Sequence, residues 1–272
     1  MNVLLFLAFS NLNLPYNGKV LSYGTSFSAK EAPENLFWNP AGMKGEAYVV
    51  SAFNCSGLIL GSLGKLWDRE SFSLGLGIQL MNSGKMIKRE EDGDSIGIFN
   101  YQFISPFLGG KIRIKRANLG MRVLFPYTYV DEYNSFGLAM DLGLIYSFKE
   151  EVIFSFCVKN LGREINPFLV ERERFLREYR FGGILKFGEM DFSFEYSSIF
   201  TLCSSISYNF NKDFSLIIGY NGEKKRFEEV NSYILSGFSF AGDIKCGKIR
   251  FCIGSVFSEP LGLSTLASIS LI

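Results

Sequence analysis

The 272 residues are enough for one large domain, and 47% of them are hydrophobic, yet no apolar run approaches the roughly 18 to 20 residues that a membrane-spanning helix needs. The formal net charge is +1 and the basic residues are scattered, which argues against a nucleic-acid-binding surface. Histidine is absent, which excludes a Ser-His-Asp hydrolase and a His-ligated zinc site, so we predict no enzymatic activity and no cofactor or metal.

The N-terminal part of the chain divides into two segments before any strand begins. Residues 1–17 contain the short apolar stretch Val3–Phe9, which has the size of an export-signal core, although a basic start and a small-x-small cleavage site are missing. We interpret residues 1–17 as an export signal, the alternative being a first strand or a buried segment. Residues 18–46 are rich in Gly, Ser, Ala and Pro, which predicts irregular backbone with a turn at Asn39-Pro40-Ala41-Gly42.

From residue 47 to residue 272, large apolar residues alternate with small or polar ones. In residues 71–80 every even position is large and apolar, and the same period-two pattern returns in residues 138–148 and 190–196. An extended chain with this pattern has one apolar face and one narrow polar face. The spread of 28 Gly and 28 Phe over many short segments is typical of a transmembrane β-barrel, and a soluble β-sandwich is the alternative.

Connection lengths determine the predicted number of strands. Fifteen segments fit the pattern, whereas bacterial single-chain barrels have an even number. The long charged connections at 82–94, 162–178 and 222–231 should share the outer face, and this requires one false strand between the first two. The shortest candidate is Lys111–Lys115, either a bulged continuation of a strand or part of a loop. We therefore predict an all-β fold, a transmembrane antiparallel β-barrel of about 14 strands in the outer membrane, surrounded by its lipid.

Polar residues within the strands should face the lumen, because an ionised residue that faces lipid at mid-depth costs about 2 to 4 kcal/mol. Their mixed signs favour lumenal ion pairs over a pore selective for one ion. The adjacent acids Glu90-Glu91 and Glu228-Glu229 are interpreted as exposed loop charge and not as a catalytic pair. The predicted lumen-facing residues are Gln79, Arg122, Asp141, Lys159, Asp191, Glu195, Lys248 and Arg250.

Two further features lead to local predictions. The apolar residues of segment 164–180 recur at a roughly helical spacing, which favours a short surface helix over the barrel mouth. The five cysteines lack CxxC spacing, so we interpret them as wall or turn residues, the alternative being one disulfide between the nearest pair, Cys246 and Cys252.

Short motifs along the chain resemble those of a known family. Asn35–Met43 is similar to the "xxWNPAGL" signature near the mature N-terminus of the PorV/PorQ family of outer-membrane proteins, which resembles the FadL long-chain fatty-acid transporters in fold. Further similarities follow in unbroken order to the C-terminus, at Asn82–Met86, Gly137–Tyr146, Lys159–Gly162, Arg177–Gly183 and Leu261–Leu271.

The resemblance implies a FadL-like barrel whose N-terminal segment, residues 18–46, folds into the lumen as a plug. Asn39, Pro40, Ala41 and Gly42 are the positions that it ties to plug conformation. PorV-type members act in type IX secretion, which implies a secretion translocon and exported proteins as partners, whereas FadL relatives pass hydrophobic small molecules through a lateral opening. We carry both functions forward, with the secretion or envelope-assembly role as the main hypothesis.

Overall fold

The computed structural model describes residues 14, 16–55, 58–89, 95–167, 174–199, 201–222, 237–258 and 262–272. It begins with one short α-helix, α1 (Gly18–Ser22), and two 3-10 helices at Pro33–Phe37 and Pro40–Gly42. Everything after residue 46 is strand or connection. The strands are β1 Ala47–Cys55, β2 Leu58–Asp68, β3 Phe72–Arg89, β4 Ser95–Ile114, β5 Ala117–Leu124, β6 Tyr127–Val130, β7 Tyr133–Ser147, β8 Val152–Asn166, β9 Glu178–Phe187, β10 Met190–Ser197, β11 Thr201–Asn209, β12 Phe214–Asn221, β13 Phe238–Cys246, β14 Ile249–Ser258 and β15 Gly262–Leu271.

The strands form one closed antiparallel sheet. The order is β3-β2-β1-β15-β14-β13-β12-β11-β10-β9-β8-β7-β5-β4-β6, and β3 also pairs with β4, which closes the ring. The first and last strands meet along β1 and β15, where Ser51 faces Ser268. Closure removes every sheet edge, as a structure surrounded by lipid requires.

Strands β5 and β6 are one wall strand interrupted at Pro126. Leu124 faces Phe107 of β4 and Tyr127 faces Ile104, so the register continues across the interruption without a shift. Pro126 has no N–H to donate, although its carbonyl oxygen accepts a 2.9 Å hydrogen bond from Gly137. The barrel therefore has 14 strands, which confirms the predicted count.

The false strand in the sequence count is part of β4. Lys111–Ile114 continues β4 without a register shift against β3, and Lys115 begins the next turn with a positive φ of 55°. With β5 and β6 counted as one wall strand, the connections β3–β4, β8–β9 and β12–β13 each join an odd wall strand to an even one, so all three lie at one end of the barrel, as predicted. We call this the loop end, and the end with the tight turns, where β1 begins and β15 ends, the turn end. The first two of these connections are shorter than predicted, because β3 extends to Arg89 and β8 to Asn166.

The predicted helix over segment 164–180 is wrong for the residues that the structure describes. Glu164 to Asn166 extend β8, Arg174 bridges to Arg163, and Glu178 begins β9. Residues 168–173 lie outside the described part of the chain. The helical spacing was misleading because Phe175 reaches into the lumen and is buried there.

The outer and inner faces of the wall differ in polarity. Outward side chains are large and apolar, with Leu63 at 50% and Leu108 at 59% exposed, which suits contact with lipid hydrocarbon. Among the described residues, none of the helices has the length and apolar character to cross a membrane.

Cys246 and Cys252 are free thiols, so the alternative disulfide does not form.

Candidate functional site: the plugged lumen

Residues 16–43 lie inside the barrel, and we call them the plug. The N–H of Gly18 donates to Ser51 Oγ of β1 at 2.7 Å, and the N–H of Ser28 donates to Glu195 Oε2 of β10 at 2.9 Å. Arg122 of β5 donates from Nη1 to the carbonyl of Leu36 at 2.9 Å. These strands lie far apart around the ring, so a single segment can contact all of them only from within the lumen.

Glycines in the wall make room for the plug backbone. Gly120 of β5 and Gly143 of β7 are direct cross-strand partners. A Cβ at Gly120 would overlap the backbone of Pro40 and Ala41, and a Cβ at Gly143 would overlap Asn39 Oδ1. The two glycines therefore form a notch into which the 3-10 turn of the plug docks.

The four residues of the plug signature build that 3-10 turn. Asn39 Oδ1 accepts the Ala41 N–H at 3.1 Å, and Asn39 Nδ2 donates to the Ser28 carbonyl at 2.7 Å. Pro40 fixes φ at the first helical position, where its missing N–H leaves no hydrogen bond unmade. At Gly42, a Cβ would crowd the Lys30 carbonyl and the Asn35 side chain. The signature thus sets the shape of the plug and its seat on the wall.

One half of the lumen, against β5 and β7–β15, is lined by ion pairs. Arg122 Nε donates to Asp141 Oδ2 at 3.0 Å, and Asp141 Oδ1 accepts the Asn160 N–H at 2.8 Å. Asn160 has a positive φ of 62° at a β8 bulge opposite Asp141. The bulge turns both Lys159 and Asn160 inward. Each partner in these contacts is 1% exposed or less, so lumenal charges are neutralised within the protein.

Four more buried charges form a second cluster beside the plug. Arg180 Nη2 lies 2.6 Å from Glu178 Oε1, and Arg180 Nη1 also pairs with Glu195. Lys159 Nζ lies 3.7 Å from Glu178 Oε2. The two cations and two carboxylates cancel. Trp38 of the plug completes the cluster, because Lys159 Nζ and Arg180 Cζ each lie 4.0 Å from its ring centroid, within cation–π range.

A third cluster of charged residues anchors helix α1 to strand β13. Lys19 Nζ lies 3.0 Å from Asp243 Oδ2 of β13 and 3.5 Å from Glu34 Oε1 of the plug. Burial alone would lower the pKa of Lys19, but the carboxylates of Glu34 and Asp243 outweigh it and keep that pKa above its ordinary value. Glu34 also accepts a 2.8 Å hydrogen bond from Ser270 of β15.

The predicted lumen-facing residues are placed as follows. Gln79, Arg122, Asp141, Lys159 and Glu195 are buried on the inner face. Asp191 pairs with Lys30 of the plug at 3.0 Å, and Arg250 lies 3.4 Å from Asp243 with its side chain 32% exposed. The prediction is wrong for Lys248: it is exposed in the turn before β14, which begins at Ile249, and it does not line the lumen.

Sequence reasoning missed Trp38, Glu178, Arg180, Lys19 and Glu34 as lumenal residues. Glu178 and Arg180 border the predicted start of a strand, and their alternation with Tyr179 could have placed them on the inner face. The three plug residues lie in irregular backbone, where no local period shows which way a side chain points.

The other half of the lumen, against β1–β4 and the loop-end parts of β5 and β7, is mainly apolar. Its side chains form the largest buried hydrophobic cluster among the described residues, and we call it the apolar half. It extends from Phe175 and Tyr101, near the loop end, to Leu66 near the turn end. Plug side chains fill part of it. A Cβ at Gly64 or Gly75 of the wall would overlap the Leu36 side chain. The members are Tyr16, Leu36, Phe37, Met43, Ala47, Val49, Leu60, Leu66, Met81, Tyr101, Phe103, Phe107, Leu124, Ala139 and Phe175.

At the turn end, Glu31 fastens the plug to the rim. Glu31 Oε2 pairs with Lys44 Nζ at 2.6 Å, and its Oε1 accepts from Asn118 Nδ2 at 2.7 Å and lies 3.7 Å from Arg113 Nη2. Burial raises the pKa of Glu31, but the Lys44 ammonium, the Asn118 hydrogen bond and the charge of Lys111 outweigh burial and hold it below its ordinary value.

The contribution of Glu31 to stability should depend on pH. Because its pKa is lowered by folding, the stabilisation is complete above the ordinary value of about 4.5 and is lost as the pH falls through the lowered pKa. We expect Glu31→Gln to unfold more easily than the wild type at pH 7, by about 0.5 to 1 kcal/mol for this partly exposed group. Heat-induced unfolding followed on gels at pH 7 and pH 3 checks this. If the unfolding temperatures of the wild type and Glu31→Gln differed by the same amount at pH 7 and pH 3, the role of the carboxylate would be contradicted.

Comparisons with known proteins decide the fold family. No protein-family model and no curated protein sequence matches the chain. The toluene transporter TodX of Pseudomonas putida aligns with a TM-score of 0.64 at 11% identity, covering 90% of this chain and 95% of TodX. The fold is that of a FadL-like β-barrel. The toluene transporter TbuX of Ralstonia pickettii gives 0.63 at 9% identity over 93% and 96% of the two chains, and a Pseudomonas aeruginosa FadL homologue gives 0.58 at 9% identity over 93% and 97%.

The FadL-like part of the predicted family is thus supported at the level of the fold. The resemblance to PorV/PorQ proteins rests on the sequence motifs alone.

Proposed function

We propose that this protein is a non-catalytic outer-membrane channel for hydrophobic small molecules, closed by its N-terminal plug. The fold is shared with barrels named as toluene transporters, and this favours the transport alternative over the secretion role. The secretion role stays a prediction from the motifs.

The apolar half of the lumen is the observation that carries the proposal. A barrel that only anchored partners at its surface would not need so many apolar side chains on its inner wall. In a lumen that is ion-paired on its other side, Leu60, Met81 and Phe103 form an apolar surface on the loop-end side of the wall, which an apolar molecule can contact once the plug moves. The ionised groups on the other side of the lumen, against β5 and β7–β15, are paired with one another, so that side would not attract an uncharged molecule.

Passage requires the plug to move. Leu36 and Phe37 pack into glycine-lined recesses of β2 and β3, and the Phe37 ring meets Phe107 edge to face with centroids 5.5 Å apart. A hydrophobic molecule that replaced these side chains would compensate for the contacts they lose. The plug is held to the ion-paired side of the lumen by polar contacts that such a molecule cannot replace, so we expect a local shift of the Leu36 and Phe37 side chains and not expulsion of the whole segment.

The test is uptake of radiolabelled toluene by intact cells that produce the protein, at a concentration that limits entry. We expect severalfold faster uptake than in cells without the protein, and a reduced rate for Leu60→Asn/Phe103→Asn, which places amides on the apolar path. Ile206→Asn, on the outward face of β11, is the control for the effect of an amide on assembly. Equal uptake with and without the wild-type protein would overturn the proposal, and recovery of exported proteins on the barrel in that case would support the secretion role.

A further inference from the structure

A row of uncharged polar side chains crosses the apolar half of the lumen, separate from the row of Asp68, Ser73 and Lys111 at the turn end. Ser62 of β2, Gln79 of β3 and Ser105 of β4 are direct cross-strand partners, and each is 3% exposed or less. Directly opposite residues on one face have Cβ atoms about 5 Å apart, so the three side chains form a continuous polar strip. The inward rows on either side are Leu60, Met81 and Phe103 towards the loop end and Gly64, Gly77 and Phe107 towards the turn end.

The oxygen atoms of this row lack partners. Ser62 Oγ, Gln79 Oε1 and Ser105 Oγ are buried and make no hydrogen bond within the part of the chain that the structure describes. Buried polar atoms are almost always hydrogen-bonded, because an unpaired one costs free energy comparable to a lost hydrogen bond. Three such atoms side by side, between apolar rows, indicate a place where a partner outside the protein supplies the bonds.

The first residues of the plug cover the row. The Tyr16 ring stacks on Phe103 of β4 with centroids 5.8 Å apart, and two residues later the Gly18 N–H bonds to Ser51, the cross-strand partner of Ser62. Residues 16–18 therefore pass over β4, β3, β2 and β1 at this level. The Tyr16 hydroxyl and Asn17 Nδ2 are also buried without a hydrogen-bond partner among the described residues. The unpaired polar atoms of the wall thus lie close to unpaired polar atoms of the plug.

We propose that Ser62, Gln79 and Ser105 bind the one polar group of an otherwise apolar molecule. The proposal rests on the proposed transport function and narrows its substrate class to uncharged compounds with a single hydroxyl or carbonyl, such as phenols. The row contains no ionisable side chain, so it does not select an anion or a cation. Serine hydroxyls both donate and accept and the Gln79 oxygen accepts, which suits a hydroxyl, while the apolar rows on either side contact the hydrocarbon part.

The test compares two probes that differ only by a hydroxyl, toluene and 4-methylphenol. Binding of each radiolabelled probe is measured by equilibrium dialysis on the purified barrel in lipid nanodiscs, with empty nanodiscs subtracted to remove partition into lipid. We expect the wild type to bind 4-methylphenol at least fivefold more tightly than toluene. In Ser62→Ala/Gln79→Leu/Ser105→Ala, the affinity for 4-methylphenol should fall about tenfold and that for toluene should stay within about twofold, as expected for loss of hydrogen bonds alone.

The matched control is Ser155→Ala/Ser193→Ala, which removes two inward serines that also lack partners but lie outside the row. It should change neither affinity. If the triple variant does not fold, Gln79→Leu alone should still weaken 4-methylphenol binding, by about fivefold. Equal binding of both probes, unchanged in the triple variant, would overturn the polar site and leave the transport function standing. Failure of the wild type to bind either probe would instead count against the transport function itself.

Discussion

Gly120→Ala should open the closed lumen to small polar solutes. The added methyl group would overlap the backbone of Pro40 and Ala41, and no rotamer change of a side chain can relieve a clash with backbone. The 3-10 turn would have to leave its notch, and overpacking of this kind typically costs 1 to 3 kcal/mol. A wide barrel whose plug is displaced holds water. We expect the conductance in planar bilayers, or the rate of liposome swelling in a small sugar, to rise about tenfold. This corresponds to a loss of about 1.4 kcal/mol in the free energy with which the plug docks on the wall.

Gly109→Ala is the matched control for this variant. Gly109 also faces the lumen, on the adjacent strand β4, but a Cβ there would meet Met43 and the Met121 carbonyl only at ordinary contact distances of 3.5 to 3.7 Å. Gly109→Ala should therefore conduct like the wild type. If both variants behave alike, the glycine pair does not determine plug docking, and any change would reflect general disturbance of the wall.

The barrel was predictable from the sequence because strand alternation is a local property. The cost of exposing a charge to lipid acts on each residue by itself, so it correctly indicated the inner face at Arg122 and Asp141 without knowledge of their partners. Lys111–Lys115 resembles a separate segment in the sequence because Pro106 and Gly109, which precede it, are usually turn residues. In the barrel both Pro106 and Gly109 stay in register within β4.

The plugged site was much less predictable, because it depends on contacts between residues far apart in the sequence. Trp38 meets Lys159 and Arg180, more than a hundred residues later, and nothing near Trp38 indicates these partners. The glycines of the narrow face could be recognised as small, but not as recesses shaped for Leu36 or Asn39. The unpaired row at Gln79 becomes visible only once the register places two serines beside it.

Arg180→Met should strongly destabilise the barrel. Arg180 is fully buried, pairs with Glu178 and Glu195, donates to the Thr25 carbonyl at 3.3 Å and lies against Trp38. Methionine is apolar and leaves two buried carboxylates with Lys159 as the one remaining cation of the cluster. Breaking a buried ion pair by removing one partner typically costs 3 to 5 kcal/mol. We expect the temperature at which the folded, fast-migrating gel band is lost to fall by about 10 °C.

Two further variants separate the charge effect from the loss of packing. Arg180→Met/Glu195→Gln again leaves one cation facing one carboxylate, so it should recover a large part of the lost stability. Arg163→Met removes an exposed arginine from β8 and should change stability by no more than about 0.5 kcal/mol. If the double variant were no more stable than Arg180→Met, the cost would come from the lost contacts with Trp38 and Thr25. Neutralisation of buried charge would then not be what holds the plug against this wall.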